Sequence, residues 1–235
     1  MGGVLLLAGI VFAQGTGEWD GRISPQAEEH HRLGLAAMAR GDMKTALREL
    51  RLGLKYTPKA VPLHNSLGEV YLATGEIDKA VVAFRKAIAL GPLFAPAYGN
   101  MGRALERRRD LVGARDFYEG ALRLRPDWPE IRCALGSVLR AEGNYAAARR
   151  EFETVLKSDP ERTEARFQLG LTLYALRDYA QAATEFRKVL GALPDHAHAR
   201  YQLGLTLRRL GQHARAAEEF EKAHKLDPTL EPPAE

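Results

Sequence analysis

The sequence predicts an all-α protein built from repeated helix pairs, on three observations. Pro58, Pro92, Pro126, Pro160, Pro194 and Pro228 stand 34 residues apart without an insertion. Windows 27–60, 61–94, 95–128, 129–162, 163–196 and 197–230 then place the same residue types in the same columns. Within a window the apolar and small residues recur three, four and seven apart, the spacing of one helical face, and not in the strict alternation of a strand. A fixed period of this length marks a repeat architecture and overrides the one or two globular domains that a 235-residue chain would otherwise suggest.

The columns define the elements. Columns 4, 7, 8 and 11 read as one helical face and columns 20, 24 and 27 as another, so each window holds two amphipathic helices. Column 7 is Leu33, Leu67, Met101, Leu135, Leu169 and Leu203, and column 8 is glycine in every window: Gly34, Gly68, Gly102, Gly136, Gly170 and Gly204. Column 20 is all alanine: Ala46, Ala80, Ala114, Ala148, Ala182 and Ala216. Column 24 is large and apolar (Leu50, Phe84, Tyr118, Phe152, Phe186, Phe220), and column 27 is mostly small. A glycine inside a helix costs about 1 kcal/mol against alanine, so close approach to the column-20 alanine of the paired helix is the expected compensation. Column 15 is Gly41, Gly75, Gly143 and Gly211, which predicts a left-handed cap ending the first helix, with Arg109 and Arg177 in the other two windows. Ser24-Pro25 reads as N-cap and first helical residue, with Glu28 and Glu29 near the positive end of that helix. The first helix is expected to run to about Ala39 and the second to start near Met43. Pro62, Pro96 and Pro129 fall in columns 1 and 2, where a first turn tolerates proline, and the period prolines close the second helices.

These columns resemble the tetratricopeptide repeat, over all six windows from 27 to 230. The resemblance implies a right-handed αα superhelix, a solenoid, and a non-enzymatic scaffold that takes a peptide or helix of a partner protein along its concave groove. Columns 2, 5, 6, 9, 12 and 13 line that groove in the family. Near the start they give His31, Arg32, Leu35, Met38, Asn65, Ser66, Glu69 and Leu72, and in the middle Asn100, Arg103, Glu106, Arg107, Cys133, Ser137 and Arg140. Toward the end they give Phe167, Gln168, Leu171, Tyr174, Tyr201, Gln202, Leu205 and Arg208. The last group carries three aromatics beside two glutamines able to bond a peptide backbone, which suits partner capture with Phe167, Tyr174 and Tyr201 as anchors. Packing between neighbouring first helices is the alternative role for them. Arg103 and Arg107 lie one helical turn apart, with Arg140 and Asn100 at related columns; together they suit an acidic side chain or a carboxylate, unless Glu106 neutralises them. The carboxylate clamp of chaperone-binding relatives is not matched, since its columns here hold His31, Leu35, Ser66, Pro96 and Asn100.

Composition narrows the function further. Net charge is +4 from 34 basic and 30 acidic residues, a mildly basic surface and not a nucleic-acid footprint. Cys133 is the sole cysteine, so no intramolecular disulfide, cysteine zinc site or CxxC pair can form, and a packing role suits it. His196 and His198 beside Asp195 make only a weak metal motif, and His30 and His31 point about 100° apart on a helix. No GxSxG, HExxH, P-loop or GxGxxG stretch occurs. The expectation is therefore no catalytic residue, no cofactor and no metal.

The ends differ from the repeats. Val4 to Ala13 is an uninterrupted apolar run, too short to span a bilayer but matching the apolar region of a secretory signal, with cleavage after Ala13. No Lys or Arg precedes it. The division expected is thus 1–13 as a signal peptide, 14–26 as a polar linker, 27–230 as repeats and 231–235 as a tail. Export to the periplasm or medium follows from it, with a cytoplasmic or membrane-anchored chain as the alternatives and no integral span expected. After Pro228 two adjacent prolines, Pro232 and Pro233, forbid a further helix, so no polar capping helix covers the last repeat. Self-association through that end, giving a structural homo-oligomer, and service as an accessory subunit of an envelope or secretion enzyme complex are the rival readings.

Overall fold

The computed structural model describes residues 21–233; the apolar run and the cleavage position expected at 1–13 lie outside the described residues. Among the described residues there are twelve helices and no strand. They are α1 Pro25–Ala39, α2 Met43–Tyr56, α3 Val61–Ala73, α4 Ile77–Leu90, α5 Ala95–Arg107, α6 Leu111–Leu124, α7 Pro129–Ala141, α8 Tyr145–Ser158, α9 Thr163–Ala175, α10 Tyr179–Ala192, α11 Ala197–Arg209 and α12 His213–Leu226.

Local chemistry sets these boundaries. Ser24 caps α1, its hydroxyl accepting from the Ala27 amide at 3.3 Å, with Pro25 as the first helical residue. Asp42, Asn144 and Asp178 do the same for α2, α8 and α10, accepting from Thr45, Ala147 and Gln181 three residues on. At the other end the chain leaves the first helices through left-handed backbone, with φ of 76°, 80°, 82° and 74° at Gly41, Gly75, Gly143 and Gly211. Arg109 and Arg177 adopt the same geometry at 65° and 64°, a conformation that glycine takes freely and a Cβ disfavours.

Two compact units result. The first holds α1 to α5, from the residues up to Gly113 together with Arg123–Arg125; the second is Ala114–Leu122 of α6 and everything from Pro126 on. Within the first unit α1 pairs with α2 and α3 with α4, while α2 meets α3 and α4 meets α5. Its core includes Ala27, Ala37, Ala46, Leu50, Leu63 and Val70, continued by Val61, Ala87, Leu90 and Ala97. Within the second unit the pairs are α7–α8, α9–α10 and α11–α12, with α8 on α9 and α10 on α11. Phe152 and Phe186 are fully buried there, and Phe220 is 5% exposed.

Two readings of the columns need correction. At Gly34, Gly68, Gly136, Gly170 and Gly204 the atoms nearest the column-8 glycine belong to the column-24 side chain and not to the column-20 alanine, whose backbone comes near only at Gly34, 3.7 Å from a built Cβ. A Cβ built on Gly68, Gly136, Gly170 or Gly204 would come within 2.5, 2.8, 2.6 and 2.7 Å of the Phe84, Phe152, Phe186 and Phe220 rings. A flat ring laid on the backbone of the facing helix needs the missing Cβ more than a methyl group does. Column 4 is likewise not apolar packing. It holds His30, His64, Tyr98, Arg132, Arg166 and Arg200, and these side chains are ties. Arg132, Arg166 and Arg200 each donate to a column-23 carboxylate on the second helix, Glu151 at 2.6 Å, Glu185 at 2.8 Å and Glu219 at 3.0 Å; His30 pairs with Glu49 at 2.8 Å. The same arginines also donate to the carbonyls of Pro126, Pro160 and Pro194, six residues back. His64 and Tyr98 reach Pro58 and Pro92 in the same way, at 2.9 and 3.0 Å. A column-4 arginine therefore binds its own second helix and the turn that precedes its repeat.

Candidate functional site

The residues singled out from the sequence divide between the two units, and in each they lie on the first helices of the pairs. In the first unit, α1, α3 and α5 carry a polar network. Asn65, Ser66 and Asn100 are buried, and polar groups in that position need partners. They have them: the Asn100 amide donates to Asn65 Oδ1 at 3.0 Å and to Glu69 Oε1 at 2.9 Å, and His31 Nε2 bonds Ser66 Oγ at 2.9 Å. Arg103 donates to Asn100 Oδ1 at 3.4 Å, and Arg107 donates to the Leu72 carbonyl at 2.8 Å. Burial pushes the Glu69 carboxyl above its ordinary range, against the pull of the Asn100 amide and the Arg103 charge. Burial also lowers the His31 imidazole, which favours its neutral form. Both exposed arginines keep N–H groups that an incoming carboxylate can reach, but Arg103 already faces Glu69.

Glu69 is the residue whose role the columns concealed. These lateral contacts run at 35 residues, one beyond the period: His31 to Ser66, Asn65 to Asn100 and Leu72 to Arg107. A search for chemically matched residues at that offset would have found the network.

In the second unit, α9 presents Phe167, Gln168, Leu171 and Tyr174 on one face, and α11 presents Tyr201 and Gln202; all six are half-buried. Their rings also make internal contacts. Phe167 lies 5.0 Å from the His196 ring and 5.9 Å from Phe186, Tyr201 lies 5.4 Å from Phe220, and Tyr174 lies edge-on to Tyr179 at 5.3 Å. Arg209 Nε donates to the Tyr174 hydroxyl at 3.3 Å, again at an offset of 35. The Gln168 amide donates to Glu164 at 2.8 Å, but its Oε1 is buried with no hydrogen-bond partner. Arg140, on α7 of the same unit, has its Nε in the same condition. Among the described residues these are the two buried side-chain polar atoms left unpaired, and both belong to the residues chosen from the groove columns. His196 Nδ1 accepts from the Ala199 amide at 3.1 Å and so caps α11. Among the described residues no group of three or more His, Cys, Asp or Glu is gathered as for a metal. Cys133 is half-buried, and burial raises its thiol above the usual value.

The Tetratricopeptide repeat family profile matches residues 31–92, 65–129, 133–192 and 167–231, most of the chain. This protein belongs to the tetratricopeptide repeat family. Comparison with curated proteins finds no match. Solved tetratricopeptide structures do match. YrrB, described as "a TPR protein with an unusual peptide-binding site", aligns at TM-score 0.70 and 24% identity, over 77% of this chain and 94% of its own. PilF of Pseudomonas aeruginosa aligns at TM-score 0.75 and 22% identity, over 86% and 92%. PilW, a "widely conserved type IV pilus biogenesis factor", aligns at TM-score 0.77 and 20% identity, over 87% and 95%. At these identities the likeness establishes the tetratricopeptide fold. No helix among the described residues of this tetratricopeptide protein is long and apolar enough to cross a membrane.

Proposed function

We propose that the chain is a non-enzymatic interaction scaffold that captures an extended segment or helix of a partner protein on the first-helix face of its second unit. The observation that carries the reading is the pair of unsatisfied buried atoms, Gln168 Oε1 and Arg140 Nε. A native fold leaves few such atoms, because each costs about 1–3 kcal/mol when unpaired. Turned outward from their buried positions, both side chains meet what a peptide offers: its backbone N–H groups donate to Gln168, and its carbonyls or a carboxylate accept from Arg140. Leu171 and the half-buried edges of Phe167, Tyr174 and Tyr201 supply apolar contact beside them, and Gln202 a further backbone partner. In the first unit Asn100, Arg103 and Arg107 form a candidate surface of their own, suited to an acidic group. The peptide-binding site described for YrrB, a protein of the same fold, supports this kind of use. Export through cleavage after Ala13 belongs to the same proposal, and N-terminal sequencing of the native protein checks it.

The test uses a variant that removes the unpaired atoms, together with the exposed Gln168–Glu164 hydrogen bond and the Arg140 charge. Arg140→Met with Gln168→Met should leave the helical melt unchanged or slightly raised, since buried polar atoms are exchanged for apolar ones. Used as bait in an extract of the native organism, beside the parent chain, it should lose a partner that the parent retains. A partner kept equally by both would refute the proposed face. Alanine at Phe167 or Tyr201 is a poorer probe, because those rings also pack on Phe186 and Phe220.

A further inference from the structure

A second opening lies on α11 and α12 and is lined by none of the side chains assigned to partner capture above. It is a groove of about 800 Å³ with a floor of Ala216, Ala217 and Phe220 and a rim that includes Arg208, His213 and His224. That volume is in the range of sites that hold a small ligand or a short peptide. Glu221, the acid on its lining, accepts from Lys225 at 2.6 Å, so the rim is basic on balance.

The chain's own tail is seated at this groove. After α12, Asp227 accepts from the Thr229 amide and hydroxyl at 3.0 and 2.7 Å, and the Leu230 amide donates to the Asp227 carbonyl at 3.0 Å. This turn brings Pro232 and Pro233 onto the groove lining, where Arg208 donates to the Pro233 carbonyl at 3.4 Å. The match is chemical. Two adjacent prolines form a stiff extended segment that offers carbonyl acceptors and no amide donors, and the rim offers cationic donors. The prolines pay little ordering entropy on an apolar floor. Glu231, exposed beside the prolines, gives the tail segment an acidic charge. The tail borders the groove without filling it, since the volume above is what remains with both prolines in place.

We infer that this groove is a docking site for an extended, proline-containing acidic segment of a partner, and that the tail is the resident competitor. In the free chain Pro232 and Pro233 hold part of the site. A partner segment with the same features displaces them and continues across the Ala217 and Phe220 floor.

The tail sequence itself serves as the probe. A labelled peptide Asp-Pro-Thr-Leu-Glu-Pro-Pro-Ala-Glu, copied from 227–235, is titrated by fluorescence anisotropy into the intact chain and into one ending at Leu230. The shortened chain should bind it about tenfold more tightly than the intact one, because an attached competitor lowers the fraction of open sites. Ala217→Glu in the shortened chain should abolish binding while leaving its far-UV circular dichroism unchanged, since residue 217 is exposed on α12. Absence of binding to the shortened chain overturns the inference, and so does binding indifferent to Ala217→Glu. A shortened chain that ignores the peptide and dimerises would assign the face to a second copy instead. Should the shortened chain lose its helicity, the full-length Pro232→Ser, Pro233→Ser variant decides. Its groove is intact and its tail weakened, and it must bind the peptide more tightly than the parent does for the inference to stand.

Discussion

Consider Gly170→Ala in α9 beside Gly191→Ala in α10, two substitutions in the same helix pair. On helix propensity alone each should stabilise, by up to about 1 kcal/mol. Their surroundings differ. A Cβ at Gly191 meets nothing within 4 Å, whereas one at Gly170 would stand 2.6, 2.9 and 2.9 Å from three carbons of the Phe186 ring. Phe186 is fully buried, so the ring cannot swing into solvent and the helices must part. Overpacking of that kind costs about 1–3 kcal/mol, which outweighs the propensity gain. Gly170→Ala should therefore destabilise by roughly 1–2 kcal/mol and Gly191→Ala should stabilise by roughly 0.5–1 kcal/mol, opposite signs for one chemical change. Urea titrations followed by circular dichroism, with the slope held common, measure both. If Gly170→Ala stabilised as much as Gly191→Ala, the ring-on-backbone contact would be refuted.

Two further outcomes follow from features described above. Arg177→Gly should raise the melting temperature, because φ of 64° costs an L residue about 1–2 kcal/mol and a glycine nothing, less the extra entropy glycine loses on folding; an unchanged or lowered melt would show that the arginine side chain compensates its backbone. Glu69→Gln should stabilise at neutral pH: its folded carboxyl titrates above the ordinary value of 4.5, so the ionised form is the disfavoured one, and that penalty disappears as pH falls through the raised value toward 4.5. The gap between parent and variant should thus be widest near pH 7 and close in acid, while His31, lowered from 6.5 in both chains, destabilises each as pH drops below about 6.5 and cancels from the difference; a gap that widens in acid would contradict the assignment.

Much of the helical framework was legible because its signals are local. Ser24-Pro25 announces α1, and the glycines of column 15 mark left-handed turns through their own backbone preference. What stayed hidden depends on packing across elements. Column 4 falls on the inward face by periodicity, yet Arg132, Arg166 and Arg200 sit there because Glu151, Glu185 and Glu219 wait on the paired helix. The matching acids in column 23 were a readable sign, and no rule of helical spacing draws attention to them. The column-8 glycines announced a close approach without naming the partner, which is a ring four residues beyond the alanine first expected. For the candidate faces the columns chose residues well but could not reveal which were internally engaged. Asn100 is spent on Asn65 and Glu69, while Gln168 and Arg140 retain an unpaired atom. The lateral offset of 35 puts such pairs one place out of register with any column-by-column reading.

The hooks of column 4 also bear on how the chain would come apart under load. Arg166 holds the Pro160 carbonyl and the Glu185 carboxylate at once, and Arg200 holds Pro194 and Glu219. A force pulling one hairpin away from its neighbour must break a charge-assisted bond to the entry turn, and the same arginine then loosens from its own second helix. Tension in these repeats is thereby passed to the hairpin that bears it, so rupture should come in whole-hairpin steps and not as a gradual peeling of turns. At His64 the hook has no acid beside it, because Ala83 occupies the place of the glutamate, and that hairpin should yield at lower force.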